Sequence, residues 1–326
     1  MGIESRCKET LKRFNLKPNK NLGQNFLINE PAVKSIIDAA NLSKDDTVLE
    51  IGSGTGIVTR ELAARVKNVI ACEFDRGLMT ALQEELKEFS NIRYIQADIL
   101  TVDLKNLLDT EKLKVVANLP YCITTPIITM LLEAKGLISL IILMIQQEVA
   151  MRILAKPGTK EYGSFSVFVN YHSRVEKIRH VSRGCFFPQP QVDSTVLRLY
   201  SLDTSTVSVQ DESLFFQLSR AAFGQRRKTL KNAIFPVLGE KTGIVLQGAG
   251  INPSRRGETL SLEEFAVLAN QTICPIGLIR PIGHIKPIRP IRPIRPIRPI
   301  RRHNYESSNY GWRVWHPDET SDMQCS

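Results

Sequence analysis

The residues of this chain best suited to chemistry are Asn118-Leu119-Pro120-Tyr121. Asn118 offers a neutral amide whose oxygen can accept a hydrogen bond from an exocyclic amine. Tyr121 offers a flat face on which a base can stack. Pro120 stiffens the turn between them and removes one backbone N–H. This set suits the transfer of a methyl group onto the amino nitrogen of a base. The same residues also read as a strand-to-helix turn with an incidental tyrosine.

The flanking segments position this set. Leu113-Lys114-Val115-Val116-Ala117 is a strand-like run, and Thr124-Thr125-Pro126 starts a helix. Asn118 and Tyr121 therefore fall at the carboxyl edge of a sheet, where open α/β folds bind ligands. Upstream, the β-rich Thr47–Ile51 enters Gly52-Ser53-Gly54-Thr55-Gly56, with Glu50 just before the glycines and a helix expected over Val58 to Val66. Glycines let backbone approach a ligand and take positive φ. The spacing is G-x-G-x-G, which differs from the dinucleotide fingerprint. A strand over Asn68–Glu73 ends in an acid 21 residues after Gly52, placed to accept ribose hydroxyls. A strand over Ile92–Gln96 is followed by Asp98, able to accept from an adenine amine. Taken singly, Glu73 and Asp98 also read as solvated strand-end acids. Four strand ends bearing a glycine loop, Glu73, Asp98 and Asn118 make a site. Alternation of strands with helical stretches predicts a parallel α/β sheet.

Composition bounds the alternatives. The 326 residues are 43% hydrophobic, enough for two cored domains, and carry a formal net charge of +10. Residues 272–326 hold nine Lys/Arg against four Asp/Glu, so half of that charge lies in the tail. A polyanionic partner is expected. Cys7, Cys72, Cys122, Cys185, Cys274 and Cys325 are scattered without C-x-x-C spacing, which predicts reduced thiols, a cytoplasmic setting and no metal. No apolar leader opens the chain. The apolar run from Leu137 to Ile145 is too short to span a bilayer and reads as a buried strand, so no membrane is expected.

Four motifs now combine: Gln24-Asn25-Phe26-Leu27, Glu50 through Gly56, Asn118 through Tyr121, and Phe186-Phe187-Pro188-Gln189-Pro190-Gln191-Val192-Asp193-Ser194. Together they resemble the ribosomal RNA adenine N6-dimethyltransferases, over about residues 10 to 270. Tyr162–Val167 and Ala222–Leu230 are similar to the small-subunit branch, whose loss gives kasugamycin resistance. The resemblance implies a class I, Rossmann-like, S-adenosylmethionine-dependent sheet flanked by helices, with a smaller C-terminal helical domain. It implies dimethylation of adjacent adenosines in a 3'-terminal hairpin of 16S rRNA during small-subunit biogenesis, by a monomer. It places Asn25 and Leu27 on the cofactor from an N-terminal lid, Gly52 against its methionine part, Glu73 at the ribose, Asp98 at the adenine and Asn118 near the reacting amine. The amine would meet the Asn118 oxygen and a carbonyl near Leu119 or Pro120. Tyr121 would stack the flipped adenine, with Phe186, or failing it Phe187, on the opposite face. Where the family commonly has Asn after this Tyr, the chain has Cys122.

Domain bounds follow: lid over 1–30, methyltransferase over 31–205, helical RNA-binding domain over 206–271, and a tail over 272–326. Outside the resemblance, Pro31 and Val33–Ala40 predict a helix with Pro in its first turn, and Gln24-Asn25 also reads as a helix cap. Gln225-Arg226-Arg227-Lys228 and Lys231 form a basic cluster, read as RNA phosphate contacts or as a solvated helix face, with Arg255-Arg256 extending it. The Pro-Ile-Arg repeat of the tail favours polyproline II and gives loose RNA attraction or reflects repeat expansion. Two other functions fit the motifs: a large-subunit RNA methyltransferase of the macrolide-resistance type, and a binding-only assembly factor.

Overall fold

Alternating apolar positions put strands at the centre of this chain. The computed structural model describes residues 2–273, except 108–111 and 203, so the polyproline II expected in the tail lies outside the described residues. The elements in order are α1 (Ile3–Arg13), β1 (Phe26–Leu27), α2 (Glu30–Ala39), β2 (Thr47–Ile51), α3 (Ile57–Ala63), β3 (Asn68–Glu73), α4 (Arg76–Glu85), β4 (Ile92–Gln96), β5 (Leu113–Asn118), α5 (Thr124–Glu133), β6 (Ile138–Gln146) and α6 (Gln147–Leu154). Then come α7 (Ser164–His172), β7 (Ser173–Val181), β8 (Phe186–Phe187), β9 (Ser194–Ser201), α8 (Glu212–Gly224), α9 (Leu230–Leu238), α10 (Thr242–Gly248) and α11 (Leu262–Ile273).

Seven strands form one sheet in the order β4-β3-β2-β5-β6-β9-β7, and β1 pairs with β8 in a separate two-stranded ribbon. The period of two along each strand divides the core. Ile141, Leu143 and Ile145 of β6 face the layer of α5 and α6, whereas Leu140, Ile142 and Met144 face the layer of α1, α2 and α3. The expected parallel sheet is present and carries an antiparallel addition. The pairings from β4 through β6 are parallel, but β9 runs antiparallel to both β6 and β7. The cause is the link over 182–193, which carries no α-helix to cross over the sheet, so the chain returns directly.

Local signals hold the site-bearing elements. Asn29 caps α2, its side chain accepting from Ala32 N, with Pro31 in the first turn. The capping role weighed for Gln24-Asn25 thus falls to Asn29. Asp75 caps α4 in the same way, accepting from Leu78 N. The first residues are more than a lid: Cys7, Thr10 and Leu11 are spaced to face one side of α1 and are buried there. C-terminally, Phe215, Leu218, Leu230, Ile234, Phe265 and Leu268 build a helical core that shares Val167 and Tyr171 with α7. No described helix is long and apolar enough to cross a membrane. Among the described residues no group of three or more His, Cys, Asp or Glu could hold a metal, and Cys7, Cys72 and Cys185 are free thiols.

Candidate active site

A cavity of about 240 Å3 opens at the carboxyl ends of β2, β3, β4 and β5. Asn25, Gly52, Glu73, Asp98, Asn118, Leu119, Pro120 and Tyr121 all line it, so residues drawn from five distant segments meet in one place. Leu27 is buried and lines a smaller adjoining hollow of about 40 Å3, together with Glu50, Gly52 and Asn118.

The glycine loop needs its glycines for two reasons. Gly52, Gly54 and Gly56 have φ of +75°, +55° and +79°, a region that L side chains rarely adopt. A Cβ on Gly52 would also meet the Asn118 carbonyl at 3.4 Å, and one on Gly54 would meet the Phe26 ring at 3.1 Å. This backbone is a cradle that side chains would fill.

Glu73 is buried at the end of β3. Its Oε2 accepts from Gly54 N at 2.9 Å and its Oε1 from Asp75 N at 2.9 Å. Burial pushes its carboxyl above the usual range while these N–H groups pull the other way. Asp98 is half-buried at the tip of β4 and accepts from Leu100 N at 3.0 Å. Glu50 is 3% exposed, and its Oε2 has no hydrogen-bond partner. Burial pushes the Glu50 carboxyl up to about 8, with neighbouring Glu73 adding to the rise.

At β5 the Asn118 Nδ2 donates to the backbone carbonyl of Asn25 at 3.1 Å. That bond fixes the side-chain amide, and no protein donor reaches its Oδ1 among the described residues. The Pro120 carbonyl accepts from Thr124 Oγ1 at 3.0 Å and from Ile123 N at 3.3 Å. Both of its lone pairs are thereby engaged. Leu119 is itself held by its N–H, which donates to the Met144 carbonyl at 3.1 Å. The Tyr121 hydroxyl shares a hydrogen bond with Ser194 Oγ at 3.2 Å, which pins the ring. Burial raises the pKa of the phenol, so it stays neutral.

Phe186 was expected on the face of the base opposite Tyr121. Its ring is 3% exposed, packs in the core beneath β1 and lines neither hollow. Antiparallel pairing sets Phe186 opposite Leu27 and Phe187 opposite Phe26, so neighbouring rings point to opposite faces of a two-stranded ribbon. Phe187 remains half-buried, with Lys8 Nζ 5.3 Å from its ring centroid.

Arg226, Arg227 and Lys228 lie at the joint between α8 and α9, because α8 stops at Gly224, and Lys231 lies in the first turn of α9. Arg226 is committed to the fold: it pairs with Glu258 at 3.2 Å and donates to the carbonyls of Lys160 and Tyr162. Arg255 is likewise taken, by Glu264 and Thr259. The side chains of Arg227, Lys228 and Lys231 are exposed and form no hydrogen bond or ion pair among the described residues.

Sequence reasoning missed Phe74, which lines the cavity at 57% exposure, and Ser194 as the anchor of Tyr121. Phe74 follows Glu73 directly, so an apolar residue after a strand-end acid was the available signal. Ser194 stood in a quoted motif, but its partner is 73 residues away.

Comparison with known proteins agrees with this geometry. The ribosomal RNA adenine dimethylase family matches residues 15–273. A ribosomal RNA small subunit methyltransferase A from Clostridium botulinum is 47% identical over 266 residues, 81% of this chain and 97% of that protein. Its counterpart from Bacillus mycoides is 43% identical over 284 residues, 84% of this chain and 97% of that protein. Among solved structures, a dimethyladenosine transferase from Plasmodium falciparum superposes with a TM-score of 0.64 at 26% identity, covering 74% of this chain and 95% of its own. The 23S rRNA methyltransferase ErmE gives 0.62 at 26% identity, covering 77% of this chain and 100% of its own. With the matched region spanning sheet, cavity and C-terminal helices, the chain belongs to the ribosomal RNA adenine dimethylase family.

Proposed function

We propose that this chain methylates adenosine N6 in small-subunit ribosomal RNA through the cavity at β2–β5, with Asn118 as the residue that orients the amine. It is an S-adenosylmethionine-dependent 16S rRNA adenine dimethyltransferase. The cavity suits the cofactor: the glycine cradle leaves room that a Cβ would fill, and Glu73 and Asp98 present carboxylates to a nucleoside. In this reading Glu73 accepts from the ribose hydroxyls, Asp98 from the adenine amine, and Asn25, Leu27 and Gly52 hold the methionine part. The bound cofactor supplies a methyl group on a sulfonium, which is already a good leaving group.

The chain's own work is then to place a weak nucleophile. The N6 lone pair of adenine is delocalised into the ring. Two acceptors on its hydrogens favour a more tetrahedral nitrogen. Asn118 Oδ1 is one. With the Pro120 carbonyl engaged inside the turn, the Leu119 carbonyl is the other. Tyr121, pinned by Ser194, gives the base a face on which to stack once it leaves the RNA stack. Proximity and fixed dipoles carry the rate, and no strong general base takes part.

The observation that carries this reading is the Asn118 amide, held by Asn25 with its oxygen free of protein donors among the described residues. The test is transfer of labelled methyl from S-adenosylmethionine to unmethylated small subunits. Label should appear as dimethyladenosine near the 3' end of the small-subunit RNA. Label on large-subunit RNA, or binding of small subunits without transfer, would overturn it.

A further inference from the structure

We propose that Gln24 is a positioning residue: its bond to Asp75 latches the strap over 19–27 across the cavity, so that the sugar-binding end and the reacting end close together. The proposal rests on the reading of this cavity as the cofactor site.

The strap contains no α-helix. It makes a short turn over Lys20–Leu22, and Gly23 then takes a left-handed φ of +63°. Leu22, Gly23, Gln24, Asn25 and Phe26 line the cavity. At its far end the strap is held by the ribbon with β8. At its near end and middle it is held by side-chain amides.

Consecutive residues reach opposite walls. The Gln24 Oε1 accepts from Asn19 N at 2.7 Å, which closes the strap on itself and fixes which end of the amide is nitrogen. Its Nε2 then donates to Asp75 Oδ2 at 3.1 Å. Asp75 Oδ1 accepts from Leu78 N at 3.0 Å, so this carboxylate is fixed by α4. Asp75 N donates to Glu73 Oε1, and Glu73 Oε2 accepts from Gly54 N, each at 2.9 Å. One unbroken series of hydrogen bonds thus runs from the strap through the ribose carboxylate to the glycine loop. On the other wall, the next residue, Asn25, donates from its side chain to the Gly23 carbonyl at 3.0 Å, and its own carbonyl accepts from Asn118 Nδ2 at 3.1 Å.

The consequence is mechanical. Asn118 owes its orientation to the Asn25 backbone, and that backbone is stretched between two walls. Releasing Gln24 from Asp75 frees the strap at the sugar side and loosens the Asn118 amide at the other. Cofactor exchange should quicken, and the amine should lose its acceptor alignment. A neutral amide fits this post because Asp75 and Glu73 already bring two carboxylates together, and only a donor is compatible with the Asp75 oxygen.

The test is a polarity swap in the full chain. Gln24→Glu keeps the acceptor for Asn19 N but sets an oxygen against Asp75 Oδ2. Asp75→Asn still caps α4 through its oxygen but presents a second donor to Gln24. The pair Gln24→Glu with Asp75→Asn restores one hydrogen bond with its direction reversed. Dissociation rates of S-adenosylmethionine and S-adenosylhomocysteine, kcat and KM on unmethylated small subunits, and the thermal midpoint are measured for all four proteins. Each single variant should speed cofactor dissociation by about tenfold or more, the loss expected when a hydrogen bond to a charged group is broken. Both kcat and cofactor KM should worsen, with a fall in melting temperature of no more than the few degrees that one hydrogen bond is worth. The double variant should return to within about threefold of wild type, as coupled partners do. Single variants with unchanged dissociation rates, or a double variant no better than the worse single, would overturn the latch alone. A wild-type chain that binds no S-adenosylmethionine would remove the reading of the cavity and the latch with it.

Discussion

Replacing Glu50 by Gln should abolish a fall in stability between pH 6.5 and 8. Glu50 is the penultimate residue of β2, before the glycine loop, 3% exposed, with Oε2 without a hydrogen-bond partner and a carboxyl pushed up to about 8 by burial. Between the ordinary value of 4.5 and about 8 the native chain keeps a proton that the unfolded chain has released. Stability must then decline as pH rises through that interval, by ~1.4 kcal/mol per unit at most. His172 works in the opposite sense. Buried with neither ring nitrogen hydrogen-bonded, and Glu212 Oε1 3.9 Å from Nε2, it is pulled down from 6.5 to about 4 by burial, so stability rises with pH until 6.5 and is flat thereafter. The window above 6.5 therefore isolates the glutamate, and it carries about 2 kcal/mol. For a chain of this size that is a drop of about 3 °C in thermal midpoint. Gln has the same shape and cannot ionise. Glu73, also raised, remains in both proteins, so the difference between the two profiles belongs to Glu50. Denaturant unfolding at half-unit pH steps, without cofactor, is the assay. Parallel profiles for wild type and Glu50→Gln, or wild-type stability that rises across the window, would refute the reasoning.

Two further outcomes test the surfaces and the loop. Replacing Arg227, Lys228 and Lys231 by Ala should weaken small-subunit binding and flatten the slope of log affinity against log salt by about 2 for three lost phosphate contacts at ~0.7 each; an unchanged slope would mark them as solvated charges, and Arg226 stays in place because it supports the fold. Gly56→Ala should destabilise by about 2–4 kcal/mol in denaturant unfolding, since it adds left-handed strain to overpacking; the new Cβ would lie 2.7 Å from Leu82 Cδ1 and 3.2 Å from Leu86 Cδ1.

The sheet and the site were legible to different depths. Thr47–Ile51, Asn68–Glu73 and Ile92–Gln96 read as strands at their observed limits, because β-rich runs stop at glycine or polar residues there. Gly52, Glu73, Asp98 and Asn118 were legible because each sits at or just past such a strand end, a position that local sequence specifies, whereas Asn25 and Leu27 were legible only through the family resemblance. What local sequence could not specify was direction and partnership. The antiparallel β9 depends on the path of the chain over 182–193, and alternation of apolar residues looks the same in either direction. In α1, Cys7, Thr10 and Leu11 form a buried stripe, but six charged residues in the same eleven masked it. Phe186 and Phe187 are adjacent and alike in sequence; only the pairing with Leu27 and Phe26 assigns Phe186 to the core. Arg226 read as one cation among four, since its partners Lys160, Tyr162 and Glu258 are distant in sequence. The family's usual Asn after Tyr121 is Cys122 here, and its side chain lies outside the described residues.

The central claim is that the Asn118 oxygen, held by Asn25, guides the adenine amine. Its most direct measurement is single-turnover methylation of unmethylated small subunits by wild type and Asn118→Ala, with saturating S-adenosylmethionine and the modified nucleosides resolved by mass spectrometry. Loss of one pre-aligned acceptor in the transition state should slow transfer by about 10²–10³-fold while small-subunit affinity holds. Dimethyladenosine forming at near wild-type rate in Asn118→Ala would contradict the account.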